Sequence, residues 1–320
     1  MPLKPFKTIE DQARLIISRG CAADEKDLQE KLAHANYYRL SGYLYMFREF
    51  DPLTKQRTNR FVAGTNFQTV WRIYCSDRQF RLVLLDAIER IEISLRTKIA
   101  YEWAKSKKVG QVSNPQKHPS CYRKAFYNQR KSAKFLGGVQ ISYERSTDDC
   151  ANHHKNDLGI RKAEDLPVWV FIELTTFSNL FSLLRLGLPK KLSEKIARDF
   201  GFADNNKFIA ALSVLREARN VCAHHARAWN RAWMCANHKV DKIAPDIEEF
   251  ENFAANKAST AYLTLVCHHL LGKIAPGNPW GEKLCKLLDD FSDLSEFFRE
   301  HMEMTDDVLK FFRPPQQKVE

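Results

Sequence analysis

The 320-residue chain is poor in the features that would direct it to a membrane or outside the cell. Its first residues, MPLKPFKTIEDQ, contain no apolar run of the kind a secretion signal needs. The most apolar stretch, VWVFIELTTFSNLFSLL, carries Glu173 inside it and Arg185 just beyond, so it reads as a buried helix and not as a membrane span. The eight cysteines stand singly, at 21, 75, 121, 150, 222, 235, 267 and 285, with no Cys-x2-Cys pair among them. In a chain of this length that spacing points to free thiols and against a disulfide framework. A cytoplasmic protein with no membrane partner is the expectation. Internal repeats and low-complexity tracts are also missing. Between Trp103 and Tyr143 there is no Asp or Glu at all, against nine Lys or Arg.

What is present is enough apolar residue, 44%, to build a sizeable core, so a disordered chain is excluded. The net charge of +11 favours a polyanionic partner without identifying one. The pattern is helical almost throughout. TIEDQARLIISRG reads as a helix opened by Thr8 and closed by Gly20, and DEKDLQEKLAHAN as a second. Residues 51–66 suggest a turn or small hairpin. From Asn66 onward, Leu84, Leu85, Ile88, Ile91, Leu95 and Ile99 keep an apolar stripe at three- and four-residue steps, which predicts the longest helix. Residues 103–143, broken by Pro115, Pro119 and Gly137-Gly138, suggest a partly irregular, strongly basic insertion with aromatics between the charges. Helices are expected at 166–187, within 192–201, at 206–231 and over roughly 251–273, followed by an acidic, aromatic tail folding back on the body. The division is a small helical N-terminal region (1–65), a main helical domain (66–275) with a basic insertion (103–165), and a linker with a helical tail (276–320). The fold class is all-α.

The chemistry concentrates in REARNVCAHHARAWN, Arg216 to Asn230. On a continuous helix, Val214, Leu215, Ala218, Val221, Cys222, Ala226 and Trp229 fall within one arc of roughly 140°, and Arg216, Asn220, His224 and Arg227 within another of about 80°. Arg219 sits at the border of the apolar arc, where its long stem can carry the guanidinium round to the polar side. His225 falls in the apolar arc and is expected to pack. An imidazole moves protons near neutral pH. Guanidiniums bind phosphate and stabilise added negative charge. No carboxylate cluster accompanies them, which disfavours a two-metal nuclease. Metal-independent RNA cleavage fits the parts, with the ribose 2′-hydroxyl attacking its own phosphodiester. That reaction uses two proton movers and the motif occurs once, so a homodimer is inferred. His224 is assigned as acid or base, Arg219 to the scissile phosphate and Asn220 to orienting both. Arg216, Arg227, Arg231, Lys124, Arg130 and Lys131 are the candidate RNA contacts, and no cofactor is expected. Two other readings use the same residues: a module that only grips RNA, and a helical scaffold that senses a phage protein.

Four segments, NYYRLSGYLYMF, DRQFRLVLLDAIERIEISLRTKIA, LPVWVFIELTTFSNL and RNVCAHHARAWNR, stand in an order that resembles the Abi family of bacterial abortive-infection proteins, the AbiD/AbiF-like group. The Arg–x4–His spacing within RNVCAH is similar to that of HEPN ribonucleases. The resemblance covers roughly residues 8–275. It implies a HEPN-like helical bundle, toxin or phage-defence activity and an RNA substrate. It also implies Arg219 and His224 as the catalytic pair with Asn220 as polar companion, and it allows for a small structured RNA antitoxin. Residues 136–160 depart from the family's basic-aromatic tract.

Two Cys-x2-His pairs, Cys150/His153 and Cys235/His238, have tetrahedral-zinc chemistry but lack knuckle composition, and no metal is assigned to them. Glu89, Arg90, Glu92 and Arg96 could pair with Arg216 or Arg227 to order the polar side, although such charges more often form a solvated helix face with modest pairing. Tyr37, Tyr38, Tyr43 and Tyr45 are read as core and interface packing and not as a base-stacking platform. Cys267-His268-His269 is read as packing.

Overall fold

The computed structural model describes residues 5–106, 129–233, 258–291 and 294–313. It is 70% helical, with 14 α-helices and one two-stranded sheet among those residues. Three short helices, α1 (Ile9–Ser18), α2 (Glu25–Ala35) and α3 (Tyr37–Leu44), lead into an antiparallel hairpin of β1 (Arg48–Asp51) and β2 (Gln56–Phe61). The Thr8 hydroxyl accepts from Asp11 N at 3.2 Å and opens α1. Gly20 follows that helix with φ at +98°, a backbone setting that an L side chain resists. Asp24 caps α2 by accepting from Asp27 N at 2.8 Å.

The axis of the fold is α4, Phe67–Ser106, 40 residues and so about 60 Å long. Its buried residues run Val70, Ile73, Asp77, Phe80, Arg81, Leu84, Ile88, Ile91, Leu95 and Ile99, one stripe at helical spacing. Around it lie α5 (Gln129–Arg145), the single turn α6 (Asp149–Asn152), α7 (Val168–Glu173), α8 (Phe177–Ser182), α9 (Lys190–Asp199), α10 (Asn205–Ala223) and α11 (Thr260–Ile274). The tail forms α12 (Trp280–Asp290), α13 (Ser295–Glu300) and α14 (Asp306–Lys310). One continuous apolar cluster reaches from Ala13 to Phe312. No helix among the described residues is long and apolar enough to cross a membrane.

Three expectations need correction. The helix expected over 166–187 is two helices with a π turn (Leu183–Gly187) after them. Thr176 breaks it, because its hydroxyl accepts from Asn179 N at 3.2 Å and starts α8 afresh. Arg96 on α4 donates to the carbonyls of Ile172 and Glu173, both at 2.9 Å, and so satisfies the orphaned end of α7. Second, Gly137-Gly138 do not break the basic segment: they lie inside α5, and Phe135, Val139 and Tyr143 are buried against the body. The apolar face of α5 outweighs the cost of two helical glycines, roughly 1 kcal/mol each. The stretch 107–128 lies outside the described residues. Third, the helix expected to run through residue 231 stops at Ala223.

Candidate active site

The end of α10 is a Schellman turn. Ala226 N donates to Val221 O at 2.9 Å and His225 N to Cys222 O at 3.0 Å, while His224 N still reaches Asn220 O at 3.0 Å. This motif places the residue after the cap in the left-handed region, and here that residue is His225, with φ at 58°. A non-glycine residue there costs about 1–2 kcal/mol. Two arginines hold the turn from outside. Arg39 of α3 bonds the His225 carbonyl, and Arg227 Nη1 donates to Gly42 O at 2.8 Å.

A buried carboxylate fixes the chain beyond the turn. Asp77 Oδ1 accepts from Ala228 N at 3.1 Å and from Trp229 N at 2.7 Å. Its other oxygen accepts from Tyr43 Oη at 2.5 Å and from Arg81. Burial pushes the Asp77 carboxyl up, while Arg81, the Tyr43 hydroxyl and the two backbone N–H groups favour the charged form. Four converging donors are fully satisfied only by the carboxylate. Burial first, and then the Asp77 charge, raises the Tyr43 hydroxyl and keeps it a donor. Trp229 is fully buried, stacked against Phe298 (5.9 Å between centroids, 7° between planes) and parallel to Tyr43 at 6.4 Å. Its indole N–H donates to Phe298 O at 3.2 Å.

The sequence candidates fall into three groups. Arg219, Asn220 and His224 come together on the last turn of α10, where Asn220 and His224 are exposed. Arg219 Nη1 lies 3.5 Å from Asn220 Oδ1. Arg219 also lines a cleft of about 450 Å³ with Leu82, Leu85, Asp86, Glu89, Glu92 and Ala223. The carboxylates of that wall are partly neutralised, with Lys283 at 3.0 Å from Asp86 and Arg96 paired to Glu92. Arg216, Arg227 and Arg231 carry bonds of the fold: Arg216 lies over the Phe181 ring at 4.4 Å, Arg227 is on Gly42, and Arg231 is 3.3 Å from Glu217. Among the described residues no ion pair joins Glu89, Arg90, Glu92 or Arg96 of α4 to Arg216 or Arg227; Arg96 pairs with Glu92 on its own helix. Lys124 lies outside the described residues, as do the side chains of Arg130 and Lys131.

Several local expectations change with the helix end. His225 is exposed instead of packed, and Ala226 is exposed too, because the continuous wheel stops at Ala223. Trp229 is buried by a route the wheel does not describe. Cys222, inside RNVCAH, is buried and its thiol is pushed up to about 12, chiefly by that burial, so it is no nucleophile. Of the Cys-x2-His pairs, Cys235 and His238 lie outside the described residues, while His153 Nδ1 is 2.7 Å from Asp157. No group of three or more metal-ligating side chains occurs among the described residues.

Reading the sequence alone missed Asp77, Arg81 and Arg39. Asp77 and Arg81 left a signal, since they sit four apart on the buried stripe between Ile73 and Leu84, where two charges must answer each other. Arg39 left none, because its partner is a backbone carbonyl 186 positions away.

Fold and site together define a helical protein whose clustered arginine, asparagine and histidine stand at an open helix end. The chain belongs to the Abi-like protein family, whose family model matches residues 30–230. Membership supports an abortive-infection role in phage defence. The matched span runs from within α2 to Asn230 and includes Asp77, Arg39 and the whole helix-end turn. No curated protein and no solved structure matches the chain.

Proposed function

We propose that this protein is a metal-independent endoribonuclease of the HEPN type and AbiD/AbiF-like kind, acting in the cytoplasm as an abortive-infection toxin. The observation that carries the reading is the exposed His224 imidazole at the end of α10, beside Arg219 and Asn220 in a chain of the Abi-like family. In the reaction the 2′-oxygen bonds to phosphorus and the bond from phosphorus to the 5′-oxygen breaks. One imidazole takes the 2′-hydroxyl proton and a second gives a proton to the departing oxygen. A single chain supplies one His224, so the second comes from another copy in a homodimer. Arg219 neutralises the charge that builds on the phosphoryl oxygens, and the Asn220 carboxamide orients guanidinium and imidazole. On this reading a small structured RNA covering the site would hold the toxin silent.

The test is cleavage of RNA by purified protein in EDTA. His224→Ala is expected to lose at least ~10²-fold in rate, the scale of a positioned acid–base group. The products are expected to carry 2′,3′-cyclic phosphate and 5′-hydroxyl ends. Undiminished cleavage by the variant removes His224 from the mechanism. Salt-sensitive binding without any strand scission replaces the nuclease with an RNA-gripping module.

A further inference from the structure

The face of α3 that borders the helix-end turn is unusual. Leu40, Tyr43 and Leu44 are buried on the inner side of α3, yet Tyr38 on the outer side is 86% exposed, and a ring so placed adds almost nothing to the core. Its position is built. α2 and α3 are joined through Asn36 alone, with φ 60° and ψ 133°, a region that non-glycine residues occupy only under constraint. The Asn36 carboxamide oxygen accepts from Tyr38 N at 2.8 Å and fixes the first turn. At about 100° per residue, Tyr38 and Gly42 lie within roughly 40° of each other on this outer side.

This strip is fastened to the candidate active site at two points. Arg39, next to Tyr38, bonds the carbonyl of His225, and Arg227 bonds the carbonyl of Gly42. The helix that carries the ring is therefore tied directly to the turn that carries His224. A side chain at Gly42 would meet nothing within 4 Å, so the space beside the ring is open. Both arginines leave guanidinium N–H groups free for phosphate after their carbonyl bonds. An exposed aromatic face, an open floor and nearby cations are the parts of a single-strand nucleic-acid site.

We propose that Tyr38 is a base-stacking residue: its ring receives an unpaired nucleobase flanking the linkage at His224, with the bare backbone of Gly42 as the floor. This rests on the RNA-cleavage reading and adds a binding subsite to it. It also departs from the reading of Tyr38 as packing: Tyr43 is buried in the core and Tyr37 half-buried, whereas Tyr38 and Tyr45 are exposed.

The experiment uses the full chain in a His224→Ala background, so that RNA stays intact, with single-stranded RNA carrying 2-aminopurine and a duplex of equal length. Tyr38→Leu is expected to weaken binding of the single strand about 5- to 150-fold, which is ~1–3 kcal/mol of base–aromatic stacking at 25 °C. Duplex binding stays unchanged, and the quenching of 2-aminopurine at one position disappears. Tyr38→Phe and Tyr38→Trp keep both affinity and quenching, as stacking requires and a lost hydroxyl contact would not. The thermal midpoint of each variant should match the parent, given the exposure of the ring. Single-strand affinity within twofold of the parent for Tyr38→Leu, with wild-type protein still cleaving RNA, overturns the stacking role and leaves the nuclease. Wild-type protein that neither binds nor cleaves RNA overturns both.

Discussion

Replacing Asp77 by Asn tests whether a buried charge holds the active turn in place. The carboxylate is fully buried, its Arg81 partner nearly so, and four donors converge on the two oxygens. Asn keeps one acceptor oxygen, enough for the N–H groups of Ala228 and Trp229. Its NH2 then faces the Arg81 guanidinium, and a buried cation loses its counter-charge. Stranding one member of a buried pair costs about 3–5 kcal/mol. The residual acceptor puts the expected loss near the lower end, ~3 kcal/mol, which would lower the thermal midpoint by roughly 6–12 °C. Urea titration followed by tryptophan fluorescence reads it, since Trp229 is seated by this contact. The control is Arg81→Met on top of Asp77→Asn. It removes the stranded cation and should recover about 1–3 kcal/mol relative to the single variant, because buried pairs exchange well for apolar groups. A loss below ~1 kcal/mol with no recovery in the double variant refutes the reasoning. RNA cleavage is expected to fall in the single variant even where the fold persists, as the turn bearing His224 loses its anchor.

Three further outcomes follow from local geometry. His225→Gly relieves the left-handed backbone at φ 58° and should raise stability by about 0.5–1 kcal/mol in the same titration, with RNA cleavage within a few-fold of wild type; a loss of stability would contradict the turn assignment. His269, on α11 beside Phe202, has its pKa lowered to about 4 by burial first and by Lys273, against a hydrogen bond to the Phe200 backbone, and His268 is lowered in the same direction by burial. The unfolded chain therefore binds protons below about pH 6.5 that the folded chain refuses until pH 4, so stability is lost as pH is lowered through that window, by up to about 3 kcal/mol from His269. Urea midpoints at pH 7, 5.5 and 4.5 check it, and His269→Gln should flatten the slope. In Gly281→Ala the new Cβ would sit 2.8 Å from Phe312 O and 3.0 Å from Phe312 Cα, both backbone, so Phe312 must lift off Trp280 and His268. Faster proteolysis of the C-terminal end, with a cost of about 1–3 kcal/mol, is the expected result.

Much of this architecture is written in local pattern. Thr8, Gly20 and Asp24 mark helix ends by their own chemistry, and the stripe of α4 is visible because each member is apolar at helical spacing. The identities at the candidate site were equally plain, since Arg219, Asn220 and His224 lie within six positions of each other. Its geometry was not. AHHARAW contains neither Gly nor Pro, and its residues suit a helix, so nothing local says stop after Ala223. The stop comes from Asp77, more than 150 positions away, which takes the two backbone N–H groups that a longer helix would have used internally. A long-range acceptor beats a modest local propensity because it satisfies buried donors and its own buried charge together. The break at Thr176 is the intermediate case: Thr can cap or continue, and Arg96 at the end of α7 settles it.

The same acceptor explains why the catalytic candidates are open to a ligand. In a continuing helix His224 would stand mid-helix between Asn220 and Arg227 with another turn of side chains above it. Ended as it is, His224 caps α10 and the chain departs toward the interior, leaving the imbalance of an exposed imidazole over a buried indole five residues on. That indole is gripped from two sides. Tyr43 stacks on it from the N-terminal helices, and Phe297, Phe298 and His301 enclose it from the tail. The family match ends at Asn230, one residue past the indole, so the tail side of this grip lies outside the matched span while the Asp77 and Tyr43 side lies within it. The turn thus has one support inside the matched span and one from the C-terminal helices beyond it, and the position of His224 depends on both.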